Sequence, residues 1–184
     1  VIGPAAASEA FARAWASLAG CQLNLAMDQG LYQLNEVAHP AEVLGQARLV
    51  RAEELEILVE FTRGFYLDTL PWEMPAEPDL RASAEARIAA RSTYFWEANG
   101  QPVAMTALAR PTARGISVNS VYTPPQFRSR GFGTALVAAV SAEGLARGKE
   151  FCVLYTDLQN PTSNAIYQKV GYRRVGHTRN YTFR

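Results

Sequence analysis

Between Val121 and Ala135 the chain reads VYTPPQFRSRGFGTA, and the residues best suited to chemistry concentrate there. A strand-like end leaves through Pro124-Pro125 into a loop of Arg128, Ser129, Arg130, Gly131, Phe132 and Gly133. From Thr134 an apolar run to Arg147 has helical spacing. A helix start carries partial positive charge and backbone N–H groups without intrahelical partners. Gly131 and Gly133 let a ligand come close to the main chain, and Arg128 and Arg130 add two cations. The chemistry expected of such a loop is the binding of a phosphate or pyrophosphate. A dinucleotide fingerprint would need a third small residue where Leu136 stands, and a P-loop would need a lysine that this loop lacks.

The flanking elements can be read from periodicity. Pro4 to Ala19 is alanine-rich, with Phe11, Trp15 and Leu18 spaced along one helical face and Gly20 as its stop. CQLNLAM and LYQLNEV alternate about Asp28-Gln29-Gly30, which predicts a hairpin. His39-Pro40 leads into a short helical segment ending at Gly45. Gln46 to Ala52 reads as a strand. Glu53 to about Leu70 is an amphipathic helix ended by Pro71, and PWEMPAEPD (71–79) is a proline-rich loop before a helix over about Leu80 to Arg91. TYFWEA, an Asn99-Gly100 turn and PVAMTALAR predict a hairpin, and GISVNSVY a third strand. After the loop and its helix, FCVLYTD (151–157) is apolar enough to be a strand covered on both faces. Asn160-Pro161 opens a short helix to Val170, and Tyr172 to Phe183 is a last strand or hairpin.

Bulk properties exclude some functions. The chain has 184 residues, 48% of them hydrophobic and 19% charged, which suits one soluble domain with a core. A formal net charge of +1 argues against a broad nucleic-acid-binding face. Only Lys149 and Lys169 among the 18 basic residues are lysines, a bias that fits a GC-rich bacterial genome. Cys21 and Cys152 lie far apart, outside any metal-ligand spacing, and His39 and His177 stand alone, so no metal is expected. The absence of a disulfide framework and of a leader-like stretch points to a cytoplasmic location, and no apolar run reaches the roughly 20 residues of a membrane span. The abrupt start at Val1, inside a helical pattern, suggests a piece of a longer protein.

From Gln46 to Arg184 the order of elements resembles the GNAT superfamily of acyl-CoA-dependent N-acyltransferases. Two motifs carry the resemblance. One is Arg128-Ser129-Arg130-Gly131-Phe132-Gly133, and the other comprises Asn160, Asn164, Ala165, Tyr167, Gly171 and Tyr172. The resemblance implies an α/β (α+β) fold with a mixed, mostly antiparallel central sheet flanked by helices. It divides the chain into 1–45, a helix and hairpin left from a preceding subdomain, and 46–184, the acyltransferase domain. It also implies acetyl-CoA as co-substrate, held by Arg128, Ser129, Arg130, Gly131, Phe132, Gly133 and Thr134. Backbone groups of Val121, Tyr122 and Thr123 would meet the pantetheine arm, and Asn160 and Asn164 would face it from the other side. Helix capping competes with contact at both asparagines.

Tyr167 is the implied general acid, because a phenol remains protonated at neutral pH. The family often places a glutamate on the strand before the loop. Here that strand carries Asn119 and Ser120 and no acid, so the base is left among Glu73, Asp157 and a water held by Ser120 or Asn119. Trp72 and Glu73, in the 71–79 loop, are the implied acceptor-pocket residues. The activity implied is acetyl transfer to a primary amine of a small molecule or peptide by direct attack. A catalytically inactive CoA-binding regulatory module and a protein-amine acetyltransferase are the alternatives. No nucleic acid or membrane partner is expected, and a homodimer is left open.

Overall fold

A computed structural model describes residues 1–38 and 42–184. The elements run β1 (Ile2–Pro4), α1 (Ala5–Ala19), β2 (Leu23–Leu34), β3 (Gln46–Leu49), α2 (Leu55–Thr69), α3 (Glu77–Ala89), β4 (Thr93–Ala98), β5 (Gln101–Ala109), β6 (Gly115–Tyr122), α4 (Phe132–Ala146), β7 (Phe151–Asp157), α5 (Pro161–Val170) and β8 (Arg173–Phe183). Short 3₁₀ turns at Ala52–Glu54, Pro71–Glu73 and Pro125–Phe127 join them. The strands form one sheet in the order β1-β8-β2-β7-β6-β5-β4-β3. Of its seven pairings only β6–β7 is parallel.

Strand alternation builds a core on each face. On β4, Tyr94 and Trp96 point toward α4, while Phe95, between them, points toward α2. On β5, Ala104 and Met105 divide in the same way. Leu136, Val137 and Val140 of α4 fill the first core, and Leu58, Val59 and Phe61 of α2 fill the second. Each such side chain is worth about 1.5–3 kcal/mol on burial. At the sheet edge, Arg48 is clamped by Glu54 at 2.6 Å and Glu97 at 2.5 Å, and Glu54 also caps the turn at Arg51.

Several expectations hold and others need correction. Asn99 and Gly100 both take positive φ, at 51° and 76°, as a tight hairpin turn requires. The hairpin predicted around Asp28-Gln29-Gly30 does not form, and β2 runs unbroken from Leu23 to Leu34. The reason is tertiary: β7 pairs with one edge of β2 and β8 with the other, so the strand has no free edge to fold back on. Gly30 serves close packing there, since a Cβ would lie 2.5 Å from the Tyr32 ring. The last segment is likewise a single strand, β8.

Strand β7 is covered on one face only. Cys152, Leu154 and Thr156 are buried, and Tyr155 is exposed. The helix expected from Leu80 begins earlier, at Glu77, with Pro78 in its first turn. Helix α1 packs through Ser8 and Ala12, so the face of Phe11, Trp15 and Leu18 turns outward. The helical segment expected at His39-Pro40 begins outside the described residues, and 42–45 are not helical.

Candidate active site

The site begins where β6 and β7 part. They pair in parallel only from Gly115–Phe151 to Ser117–Val153. Beyond that, Val118 to Tyr122 and Leu154 to Asp157 have no ladder between them, which leaves an opening in the middle of the sheet. Strand β6 also carries a bulge. Ala107 faces Asn119 and Met105 faces Tyr122, so Ser120 and Val121 together stand opposite Thr106. Ser120 takes φ 51°, and Thr106 Oγ1 donates to the Asn119 carbonyl at 2.9 Å, fixing the kink. After the bulge Val121 packs against the α4 core. Tyr122 instead packs on Phe61, with ring centres 5.9 Å apart, over the space that Gly64 leaves on α2.

The loop from β6 ends on α4. Gly131 is its N-cap at φ 82°, in the region glycine tolerates best. Ala135 N–H donates to the Gly131 carbonyl at 3.0 Å, so the amides of Phe132, Gly133 and Thr134 point out of the helix start. Phe132 is buried in the core and offers a ligand only its backbone. A Cβ at Gly133 would press on Thr123 Oγ1 at 3.1 Å. Ser129 also takes positive φ, at 60°. The two arginines differ. Arg128 pairs with Asp68, donates to the Thr123 carbonyl at 2.9 Å and lies over Tyr122, whereas Arg130 stacks on Phe132 at 4.7 Å without a described carboxylate partner.

Helix α5 faces the opening from beyond β7. Asn160 accepts from Ser163 N–H at 3.0 Å, an N-cap in which its side-chain oxygen is already engaged. Asn164 donates to the carbonyls of Asp157 and Leu158, and its buried Oδ1 has no partner among the described residues. Asp157, at the end of β7, accepts from Gln159 N–H at 2.8 Å. Tyr167 is buried, edge-on to Tyr172 with ring centres 6.1 Å apart, and its hydroxyl makes no hydrogen bond among the described residues. Burial pushes its phenol well above the ordinary tyrosine value, so it stays protonated. Tyr172, by contrast, shares a hydrogen bond with Ser141 at 2.8 Å. Cys152 is fully buried, and desolvation pushes its thiol up to about 11. It lacks the thiolate a nucleophile requires.

On the α2–α3 face of the bulge lies a cavity of about 220 Å³. Thr62, Tyr66, Pro75, Arg87, Asn119 and Ser120 are among its walls, and no carboxylate is. Trp72 is 52% exposed, Glu73 is exposed, and neither lines this cavity, to which the 71–79 loop contributes Pro75. Sequence reasoning missed Arg87. Its Nε donates to Thr93 Oγ1 at 3.0 Å and its Nη1 to Thr62 Oγ1 at 3.3 Å, while its buried Nη2 has no described partner. Burial lowers its pKa, the sign of a cation short of solvent and counter-charge. A signal existed: Leu80, Ala84 and Arg87 share one face of α3, and the first two are buried. Among the described residues no cluster has the make-up of a metal site, and no helix is long and apolar enough to cross a membrane.

The sheet opened at one parallel pair, the bulge before it and the glycine-capped helix after it define a class. The chain belongs to the acetyltransferase (GNAT) family, whose model matches residues 53–172. The mouse protein named N-acetyltransferase family 8 member 3 is 27% identical over 136 residues, which is 67% of this chain and 60% of that protein. The chain thus matches less than two thirds of that relative's length. Among solved structures, a GCN5-related N-acetyltransferase from Sphaerobacter thermophilus superposes with TM-score 0.74 at 15% identity, over 100% of this chain and 58% of its own. A protein from Clostridium acetobutylicum, described as a predicted acetyltransferase with acetyl-CoA, aligns at TM-score 0.56 and 19% identity over 72% of this chain and 92% of its own.

Proposed function

We propose that the chain transfers an acetyl group from acetyl-CoA to a primary amine by direct attack. The observation that carries this is the opening between β6 and β7, with the bulge on one side of it and the bare amides of α4 at its mouth. The residues present suit the co-substrate. Amides of Phe132, Gly133 and Thr134 would hold pyrophosphate oxygens, aided by Arg130. Main-chain groups of Val121 to Thr123 would receive the pantetheine amides, and an N–H of this bulged stretch would polarise the thioester carbonyl.

Acetyl-CoA supplies the reactive carbonyl as a thioester, so a C–N bond forms as the C–S bond breaks. The protein's share is then positioning and two protons. Tyr167, kept protonated by burial, would donate the proton to the departing sulfur. The amine's proton leaves by water ordered at Asn119 and Ser120, both on the cavity wall, or by Asp157 across the opening. Cys152 takes no part, being buried with a raised pKa.

A second reading, a CoA-binding module without catalysis, draws on the lack of a carboxylate in the cavity wall. One experiment separates the two. Thiol release from acetyl-CoA is followed over a panel of primary amines, with the N-acetylated product identified by mass. Stoichiometric product supports transfer. CoA binding without product from any amine would leave only the module.

A further inference from the structure

We infer that the acceptor carries a carboxylate beside its amine, and that Arg87 is the residue that selects it. The inference rests on the acyl-transfer reading and adds the chemical class of the acceptor. Three observations meet in the cavity on the α2–α3 face of β6.

The first is an uncompensated cation. Arg87 extends from α3 into the cavity wall, and its guanidinium is oriented by two threonine hydroxyls, Thr93 and Thr62. Neither hydroxyl carries charge, and no described carboxylate pairs with Arg87. Nη2 is sealed from solvent and has no acceptor among the described residues. A buried cation is costly unless paired and hydrogen-bonded. The other exposed or half-buried arginines of α1–α3 that make ion pairs find their glutamates within the chain, as Arg63 does with Glu77 and Arg81 with Glu56. Arg87, by contrast, has no carboxylate partner among the described residues. Arg87 lines the cavity, and a carboxylate would pair with Nη2 by displacing the groups that now cover that atom.

The second observation is an unpartnered acceptor in the same wall. Asn119 Oδ1 is buried and accepts no hydrogen bond among the described residues. Asn119 immediately precedes the bulge residue Ser120, and both line the cavity. An amine N–H is the donor such an oxygen lacks. One cavity therefore offers a cation for an anion and an acceptor for an amine.

The third is size. About 220 Å³ is below the roughly 300–1,000 Å³ of pockets that take drug-sized ligands. It suits a small amino carboxylate, or the amino-carboxylate end of a larger molecule.

The test compares each acceptor with its own uncharged twin. Small α-, β- and γ-amino acids and their carboxamides are assayed at saturating acetyl-CoA, and kcat/KM is measured for each pair. The best amino acid should exceed its carboxamide by on the order of 100-fold, the scale of a buried charge pair. In Arg87→Met the gap should shrink to about threefold or less, and Arg87→Lys should restore part of it. Equal use of acid and amide by the wild-type protein would overturn the assignment, as would a gap that survives Arg87→Met. A water bridging Nη2 and Asn119 Oδ1 gives the first of those outcomes. Should Arg87→Met fail to fold, the wild-type pairs still decide. A second readout stands apart from turnover: with CoA bound, the preferred amino acid should raise the melting temperature and its carboxamide should not. If no amine is acetylated, acyl transfer fails by itself, and the melting shift alone supports or overturns the Arg87 site.

Discussion

Strand β6 separates two surfaces built on different principles. Toward α4 and α5, the proposed donor side works through the main chain: a glycine N-cap, three outward amides and a strand edge released from pairing. Toward α2 and α3, the cavity works through side chains brought together from four elements, with Thr62 and Tyr66 on α2, Arg87 on α3, Ala107 on β5 and Asn119 and Ser120 on β6. A main-chain site depends on backbone geometry and tolerates almost any side chain that permits it. A side-chain cavity depends on which residues happen to meet. The first arrangement suits a ligand common to a whole family, and the second suits a ligand particular to one member.

The contrast can be broken most severely at its glycine. Gly131→Val places a β-branched residue at φ 82°, with its Cβ about to meet Val43 Cγ2 at 3.0 Å. CoA binding should fall by more than about 100-fold in calorimetry, alongside a stability loss of at least about 1–2 kcal/mol. Unchanged affinity would remove the helix start from the donor site.

Tyr167→Phe should lower kcat by on the order of 100-fold with CoA affinity nearly unchanged. Because burial raises this phenol's pKa, its proton is retained as pH rises, so Tyr167 itself should impose no alkaline decline in kcat below about pH 10. An unaltered rate in the phenylalanine variant would remove Tyr167 from the mechanism.

The two loop arginines sharpen the comparison further. Arg130→Ala should weaken CoA binding about tenfold, and Arg128→Ala about threefold or less, since Asp68 and the Thr123 carbonyl already engage Arg128. The reverse order in calorimetric titrations would show that the Arg128–Asp68 pair opens for the ligand. The smallest effect belongs to Asn160→Ala. It should cost about 1 kcal/mol in denaturant unfolding through loss of the α5 cap, and Asn160→Asp should recover most of that.

The same contrast explains what could be read in advance. The glycine-capped loop proposed to hold the donor is legible as a structure because its requirements are local. Positive φ and bare amides call for Gly131 and Gly133 at fixed spacing ahead of an apolar helix, and the second motif lies on one short helix. Strands β4 and β5 were legible from Asn99-Gly100 for the same reason.

Non-local features were hidden. Strand β2 alternates on both sides of Asp28-Gln29-Gly30, and only its two partners, β7 and β8, make it continuous rather than folded back. The one-sided burial of β7, with Tyr155 exposed on its open face, is set by tertiary packing and not by the strand's own composition. The bulge at Ser120 leaves no glycine to mark it, because a serine takes the positive φ. Arg87 was passed over because its spacing from Leu80 and Ala84 carries meaning only once that face is known to be buried. The outward apolar stripe of α1 shows the converse, a helical face legible by spacing whose burial did not follow.

A crystal structure of the protein with CoA tests the account most directly. It should place pyrophosphate oxygens within about 3.2 Å of the amides of Phe132, Gly133 and Thr134. The sulfur should lie in the opening between β6 and β7, beside Ser120 to Tyr122 and with Tyr167 on its far side. CoA bound elsewhere, or bound with its sulfur outside that opening, would contradict the division of labour across β6.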